Sequence, residues 1–241
     1  MNLIALQIKT SQDFEKNLEE LKNLIISCEE NSIILAPELA LSGFCYDRME
    51  EASIFSLKAI EELKELSYNK TIALTFIMKK DKNSFLNTLH IFHNKQIIHT
   101  QSKVQLFPLG DELEHFVAGN EDDIKIIEIN GIKIATLICF ELRFPRLWEK
   151  IKGADIILNP AMWGIKRKDH YESISKSLAL VNQCFVIACN SADDNMAKGS
   201  AIISPFGNVK KDDSKIVLQT DFDKDEILKV RKYIDIGLSK K

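Results

Sequence analysis

Glycine is scarce in this chain, with nine glycines and five prolines among 241 residues. None of the glycines belongs to a Gly-x-Gly-x-x-Gly run or to a Gly-x-x-x-x-Gly-Lys-Ser/Thr run. Proteins use such runs where backbone must approach a phosphate closely. A dinucleotide-binding or P-loop domain is therefore excluded.

The chain also lacks a long apolar segment. No apolar run approaches the roughly 18 residues needed to cross a bilayer. The first residues, Met1 to Leu6, contain neither a basic region nor a small-residue cleavage site. We therefore expect no membrane partner and a cytoplasmic location.

Charge of one sign is not in excess either. The 32 basic and 35 acidic residues are interspersed and give a net charge of −3, so the sequence offers no basic surface for nucleic acid. With 45% hydrophobic and 28% charged residues, the composition is typical of a globular protein. We expect a single domain over residues 1–241 and no nucleic-acid partner.

Cysteine pairs of the Cys-x-x-Cys type are absent. The number of cysteines is odd, which argues against a disulfide framework, and we find no cluster of metal-ligating residues. We therefore expect neither a metal nor an organic cofactor. The five cysteines are Cys28, Cys45, Cys139, Cys184 and Cys189.

Apolar periodicity predicts alternating strands and helices in the amino-terminal part. Residues 2–9, 32–36 and 71–78 have the apolar character of strands, whereas apolar residues within 14–28 and 55–66 recur at helical spacing. This β-α-β-α-β order favours a largely parallel sheet covered by helices.

The following part contains hairpin signals. Residues 85–92 and 96–101 flank a short turn, and Asn130-Gly131 separates two further apolar runs. After Cys139 we predict a helix, a strand at 155–158 that ends at Asn159-Pro160, a helix at 169–182 and a strand at 185–189. The strands at 201–204 and 216–218 are predicted to form a hairpin around Phe206-Gly207-Asn208.

Three chemically distinct side chains each follow a predicted strand. Cys139 ends the apolar run 132–139 at a sharp turn into a helix, where a nucleophile can be exposed beside backbone N–H groups. Glu38 and Lys103 follow two other strands. A carboxylate, an ammonium and a thiol can thus meet at one sheet edge. Taken singly, each has an ordinary alternative: an apolar-run cysteine packs in the core, and a lone Glu or Lys lies in solvent.

Four motifs in order resemble the nitrilase superfamily of carbon–nitrogen hydrolases. They are Pro37-Glu38, the run Lys103 to Glu112 with Phe116 and Gly119, the run Cys139 to Pro145, and Asn159 to Trp163. The resemblance implies an α/β fold of the α-β-β-α sandwich type. It maps the family's Glu-Lys-Cys triad to Glu38, Lys103 and Cys139, and a second glutamate to Glu112.

The resemblance also suggests roles for these residues. Glu38 is expected to take the Cys139 proton, the thiolate to form a thioester, and Lys103 with the backbone N–H of Phe140 to stabilise the oxyanion. Glu112 either orients Lys103 or contacts the leaving nitrogen. Arg143 is expected to pair with a carboxylate beside the turn, and His170 to be structural. Candidates for binding the substrate are Met162, Trp163, Phe44, Tyr46 and His115.

The expected activity is hydrolysis of a small linear amide, as in the ω-amidase and deaminated-glutathione-amidase group. Hydrolysis of N-carbamoyl amino acids is the second choice and hydrolysis of nitriles the next. The nitrile alternative stays open because Phe140-Glu141 lies between the Tyr-Asp of amidases and the Trp-Glu of nitrilases. A non-catalytic binding protein is a third, since Leu178 and Val181 replace charges that relatives carry. The resemblance further implies a homodimer, with Leu147, Trp148, Leu178 and Val181 as interface candidates.

Overall fold

The computed structural model describes residues 1–238. Among these residues, two six-stranded sheets pack face to face, with helices on their outer surfaces. The first sheet comprises β1 (Asn2–Leu6), β2 (Ser32–Leu35), β3 (Thr71–Lys79), β4 (Phe85–His93), β5 (Gln96–Ser102) and β12 (Val217–Asp221). The second comprises β6 (Ile127–Ile129), β7 (Ile132–Thr136), β8 (Ile156–Ala161), β9 (Phe185–Asn190), β10 (Ala201–Ile203) and β11 (Val209–Lys211). The helices are α1 (Phe14–Ser27), α2 (Met49–Leu66), α3 (Glu112–His115), α4 (Pro145–Lys150), α5 (Lys168–Asn182) and α6 (Lys224–Tyr233).

The first sheet has the strand order β12-β1-β2-β3-β4-β5, with β1, β2 and β3 parallel. Helix α1 begins where the Asp13 side chain accepts the Lys16 N–H at 3.0 Å, which caps an otherwise unpaired donor. Its apolar stripe buries Leu18, Leu21 and Ile25 against the outer face of this sheet. The predicted β-α-β-α-β order is confirmed.

The second sheet has the order β11-β10-β9-β8-β7-β6, with β7, β8 and β9 parallel. The hairpin predicted at Asn130-Gly131 joins β6 to β7. Both turn residues have positive φ, 51° and 76°, the conformation that a two-residue hairpin turn requires. Apolar residues from the inner faces of the two sheets form one continuous core, which includes Leu3, Leu35 and Ile157. The predicted α-β-β-α sandwich is confirmed.

Two strand predictions were wrong. The strand at 216–218 belongs to β12, which pairs antiparallel with β1 in the first sheet. The hairpin around Gly207, whose φ is +80°, joins β10 to β11 instead. Strand β8 also does not end at Pro160 but runs on to Ala161, paired with β9. Turn residues mark where the chain reverses, but long-range packing decides which strand is its partner.

The interface candidates do not form one exposed surface. Leu147 and Leu178 are fully buried within the protomer, where they join the core. Trp148 is half-buried, and its Nε1–H donates to the Leu142 carbonyl. Only Val181 is well exposed, at 57%. Within residues 1–238, no helix has the length and apolar character to cross a bilayer.

Candidate active site

Cys139 lies at a strained turn. It opens a 3₁₀ turn over Cys139–Arg143 that follows β7, and its φ of +48° is in the left-handed region that non-glycine residues rarely adopt. The thiol Sγ lies 3.5 Å from the backbone N–H of Met162, which follows the end of β8. The nucleophile candidate is therefore held between the ends of two neighbouring parallel strands.

Three buried charges lie at the same end of the sandwich. The Lys103 ammonium donates to Glu38 Oε1 and to Glu112 Oε1, both at 2.7 Å. Glu38 and Lys103 are 0% exposed. The Glu38 N–H donates to the Ala161 carbonyl at 3.3 Å, and this bond links the loop after β2 to the other sheet. The structure thus brings together Glu38, Lys103 and Glu112 at the site where Cys139 lies.

Asn87 is part of this arrangement, although the sequence analysis did not identify it. Its side-chain N–H donates to Glu38 Oε1 at 2.8 Å. Its backbone carbonyl accepts the backbone N–H of Lys103, also at 2.8 Å. The only signal in the sequence is the β4–β5 hairpin, whose register places Thr88 opposite Ser102 and hence Asn87 beside Lys103. Because Oε1 accepts both bonds, Glu38 Oε2 is buried without a hydrogen-bond partner among the described residues.

Burial and the neighbouring charges both shift the pKa values of these groups, in some cases in opposite directions. Burial acts to lower the pKa of Lys103, but the neighbouring Glu38, Cys139 and Glu112 outweigh it and raise the pKa overall. Burial, followed by the charge of Glu38, raises the pKa of the Cys139 thiol well above its usual value. Burial also raises the pKa of Glu112 to about 7, against the charge of Lys103. Both shifts favour a charged ammonium and a protonated thiol.

A narrow cavity of about 20 Å³ opens beside the thiol. Two arginines line the cavity, and the guanidinium group of each lies over an aromatic ring. The Arg143 guanidinium carbon is 4.5 Å from the centre of the Trp163 ring, and that of Arg167 is 5.0 Å from the Phe107 ring. The lining residues are Phe107, Cys139, Phe140, Arg143, Met162, Trp163 and Arg167.

The expectation that Arg143 pairs with a carboxylate was wrong. Its Nη2 lies 3.0 Å from His170 Nδ1 and its face covers Trp163. Within residues 1–238, neither Arg143 nor Arg167 forms an ion pair. Arg167, which the sequence analysis missed, follows Trp163 by four positions in a 3₁₀ turn, and no local pattern distinguishes it from a surface arginine.

The predicted substrate-binding residues fall into two groups. Met162 and Trp163 line the cavity, and the buried Trp163 backbone is held by its N–H to Asn190 Oδ1 at 2.7 Å. Phe44, Tyr46 and His115 instead pack together on the side of Lys103. Tyr46 stacks on His115 at 4.0 Å between ring centres, and Phe44 lies 5.8 Å from the Lys103 ammonium.

Residues 3–232 match the family described as carbon-nitrogen hydrolase, and the chain belongs to that family. It is therefore a hydrolase of carbon–nitrogen bonds other than peptide bonds. It contains no group of three or more His, Cys, Asp or Glu residues placed to hold a metal ion among residues 1–238.

Similar proteins carry amidase names. The chain is 29% identical over 240 residues to a 2-oxoglutaramate amidase from Bacillus subtilis, covering 92% of each chain. It is 28% identical to the omega-amidase YafV of Escherichia coli K12, covering 82% of this chain and 78% of the relative. A carbon-nitrogen hydrolase structure from Helicobacter pylori G27 superposes with a TM-score of 0.86 at 17% identity, covering 97% and 92% of the two chains. The chain is an amidase-type member of the family.

Proposed function

We propose that the protein is a cysteine-dependent amidase for a small linear amide that carries a carboxylate at its far end, as in a dicarboxylic monoamide. The observation that carries the substrate class is the pair Arg143 and Arg167, which line the cavity beside Cys139 without a carboxylate partner among residues 1–238. Guanidinium groups bind carboxylates through paired charge-assisted hydrogen bonds. The 2-oxoglutaramate named for the Bacillus relative is such an amide.

The first half of the reaction forms a thioester. The unpartnered Oε2 of Glu38 accepts the Cys139 proton while Sγ attacks the amide carbon. The carbonyl π electrons move onto oxygen, where the Lys103 ammonium and the Phe140 N–H stabilise the charge. When the tetrahedral intermediate collapses, the carbon–nitrogen bond breaks, and Glu38 returns the proton to the leaving nitrogen. Ammonia departs, and the acyl group stays on sulfur.

The second half consumes water. Glu38 Oε2, again a carboxylate, takes a proton from a water molecule that attacks the thioester carbon. The carbon–sulfur bond breaks, the thiolate regains its proton from Glu38, and the carboxylic acid leaves. Glu112 keeps Lys103 in place, because its Oε1 accepts from the ammonium at 2.7 Å while its Oε2 accepts the Phe107 N–H at 3.1 Å.

An ammonia-release assay tests this proposal. The panel contains succinamate, butyramide, an N-carbamoyl amino acid and butyronitrile. We expect succinamate to have the highest kcat/KM, because only it offers a carboxylate to the arginines together with a primary amide. Highest activity on the carbamoyl compound or on the nitrile would assign one of those classes instead, and release from none of them would favour a binding protein.

Variants of the two arginines provide the matched control. In Arg143→Gln and Arg167→Gln we expect KM for succinamate to rise roughly 10- to 100-fold, the effect of losing a charged hydrogen bond. The uncharged butyramide should show little change. Equal losses on both substrates would contradict recognition of the carboxylate.

The same proposal includes a cytoplasmic homodimer. All five cysteines are free in the part of the chain described, which suits a reducing compartment. Val181 is 57% exposed, and Leu180 and Phe206 are each 45% exposed, with Leu180 lying against Gly207 beside Phe206. Light scattering should give a dimer that Val181→Glu weakens, since an unpaired charge inside an interface is costly. A wild-type monomer at micromolar concentration contradicts the dimer.

A further inference from the structure

Glu141 is a buried carboxylate with bonds to two loops of the site. It is 0% exposed. Its Oε1 accepts the Val104 N–H at 2.7 Å, and its Oε2 accepts the Ile138 N–H at 2.7 Å. Val104 follows Lys103 in the chain and Ile138 precedes Cys139. One side chain therefore joins the backbone beside the ammonium to the backbone beside the thiol.

The bonds at the Cys139 turn are reciprocal. The Glu141 N–H donates to the Ile138 carbonyl at 3.0 Å, while the Glu141 side chain accepts the Ile138 N–H. These two bonds close a loop around Cys139, whose φ of +48° needs support from its surroundings. The N–H of Phe140 lies inside the same loop, so its direction depends on how Glu141 is held.

We propose that Glu141 is a positioning residue that sets the distance and orientation of the Lys103 ammonium relative to the Cys139 thiol and the Phe140 N–H. The inference rests on the proposed cysteine mechanism. Both carboxylate oxygens act as acceptors, so an amide at this position points an N–H donor at a backbone N–H. An aspartate keeps the charge, but it is shorter by one methylene and reaches only one of the two loops.

The test compares Glu141→Gln and Glu141→Asp with Asp155→Asn. Asp155 is the matched control, because it is also buried and also accepts a backbone N–H, that of Lys133 at 3.0 Å, at the opposite end of β8. Activity is measured with the panel amide that has the highest kcat/KM. It is divided by the folded fraction that urea unfolding of each variant gives, so that unfolded protein does not count.

We expect kcat of the folded fraction to fall at least about fivefold, and up to about 100-fold, in both Glu141 variants, because small misplacements of reacting groups slow the chemical step. KM should stay within about twofold, and Asp155→Asn should keep the wild-type kcat. A fall of less than about fivefold in either variant, or a change confined to KM, would overturn the inference.

Two further measurements keep the outcome clear. If neither Glu141 variant folds, hydrogen exchange in the wild type decides. The Val104 and Ile138 amides should be protected together, and exchange of either at the rate of exposed loop amides would overturn the inference. Cys139→Ala separates the two proposals. Activity retained in that variant defeats the proposed function, whereas an inactive Cys139→Ala with normal kcat in the Glu141 variants defeats only the role of Glu141.

Discussion

The two ends of the sandwich each contain a buried carboxylate next to cations, but their hydrogen bonding differs. We call the end of the sandwich away from Cys139, where β8 begins, the closed end. There, Asp155 Oδ1 lies 3.4 Å from Arg231, and Oδ2 accepts the Lys133 backbone N–H at 3.0 Å. At the site end, Glu38 Oε1 accepts two bonds, whereas Oε2 has no partner among the described residues.

The difference separates a structural ion pair from a reactive one. A carboxylate whose two oxygens both accept bonds from the fold stabilises the structure. A buried oxygen without a partner costs free energy, and that cost is typical of a functional site. Changes at the site end should therefore reduce activity, and changes at the closed end should reduce stability.

The largest effect should come from Cys139→Ala, which removes the atom that forms the thioester. We expect ammonia release to fall by about 10⁴-fold or more, with little change in the thermal midpoint because the volume lost is small. Mass spectrometry of wild-type enzyme quenched during turnover should find the acyl group on Cys139. An adduct on another cysteine would contradict the assignment.

Glu38→Gln is expected to have the next largest effect. The amide keeps the shape of the side chain but cannot accept the thiol proton, so kcat should fall roughly 10²- to 10⁴-fold. Iodoacetamide should also alkylate Cys139 more slowly than in the wild type. Asp155→Asn serves as the control and should leave the alkylation rate unchanged. Equal alkylation rates in wild type and Glu38→Gln would remove Glu38 as the base.

Asp155→Asn should reduce stability and leave activity unchanged, in contrast to the substitutions at the site. The substitution removes the negative charge from the ion pair between Asp155 and Arg231, whose side chains are 6% and 14% exposed. Breaking a buried pair costs about 3 kcal/mol. Urea unfolding measures the free-energy change, and kcat of the folded fraction should equal that of the wild type. A fall in kcat beyond the fraction unfolded would break the separation between the two ends.

The last prediction concerns His90, which has no charged partner within residues 1–238 and whose effect appears only at low pH. Burial between Phe76 and Phe92 lowers the pKa of His90 from 6.5 to about 4. The unfolded chain therefore binds more protons than the folded chain below pH 6.5, and stability is lost as the pH falls from 6.5 towards 4. In His90→Phe this loss is absent, so the variant should gain up to about 3 kcal/mol over wild type between pH 7 and pH 4. Urea midpoints at both pH values measure the gain, and a pH-independent difference would contradict the assignment.

Local pattern alone determined most of the secondary structure. Helical spacing located α1 and the part of α2 from residue 55 onward, but it missed the first turns of α2 from Met49. Asn130-Gly131 located the turn between β6 and β7, because periodicity and turn preference depend on residues close in the chain. The positions of Glu38, Lys103 and Cys139 after strands were also visible. The prediction that they meet at one sheet edge was incomplete, because Glu38 and Lys103 follow strands of the first sheet and Cys139 follows β7 of the second. They come together where the two sheets pack against each other.

Only the tertiary structure decided the contacts between distant segments. The strand at 216–218 joined β1 in the other sheet, and Leu178 turned inward to the core. Arg143 lies over the Trp163 ring rather than beside a carboxylate. The side chains of Asn87 and Glu141 form hydrogen bonds with residues more than 30 positions away in the chain. Such contacts depend on how the two sheets pack against each other. The sequence next to each residue therefore does not indicate which distant residue it will contact.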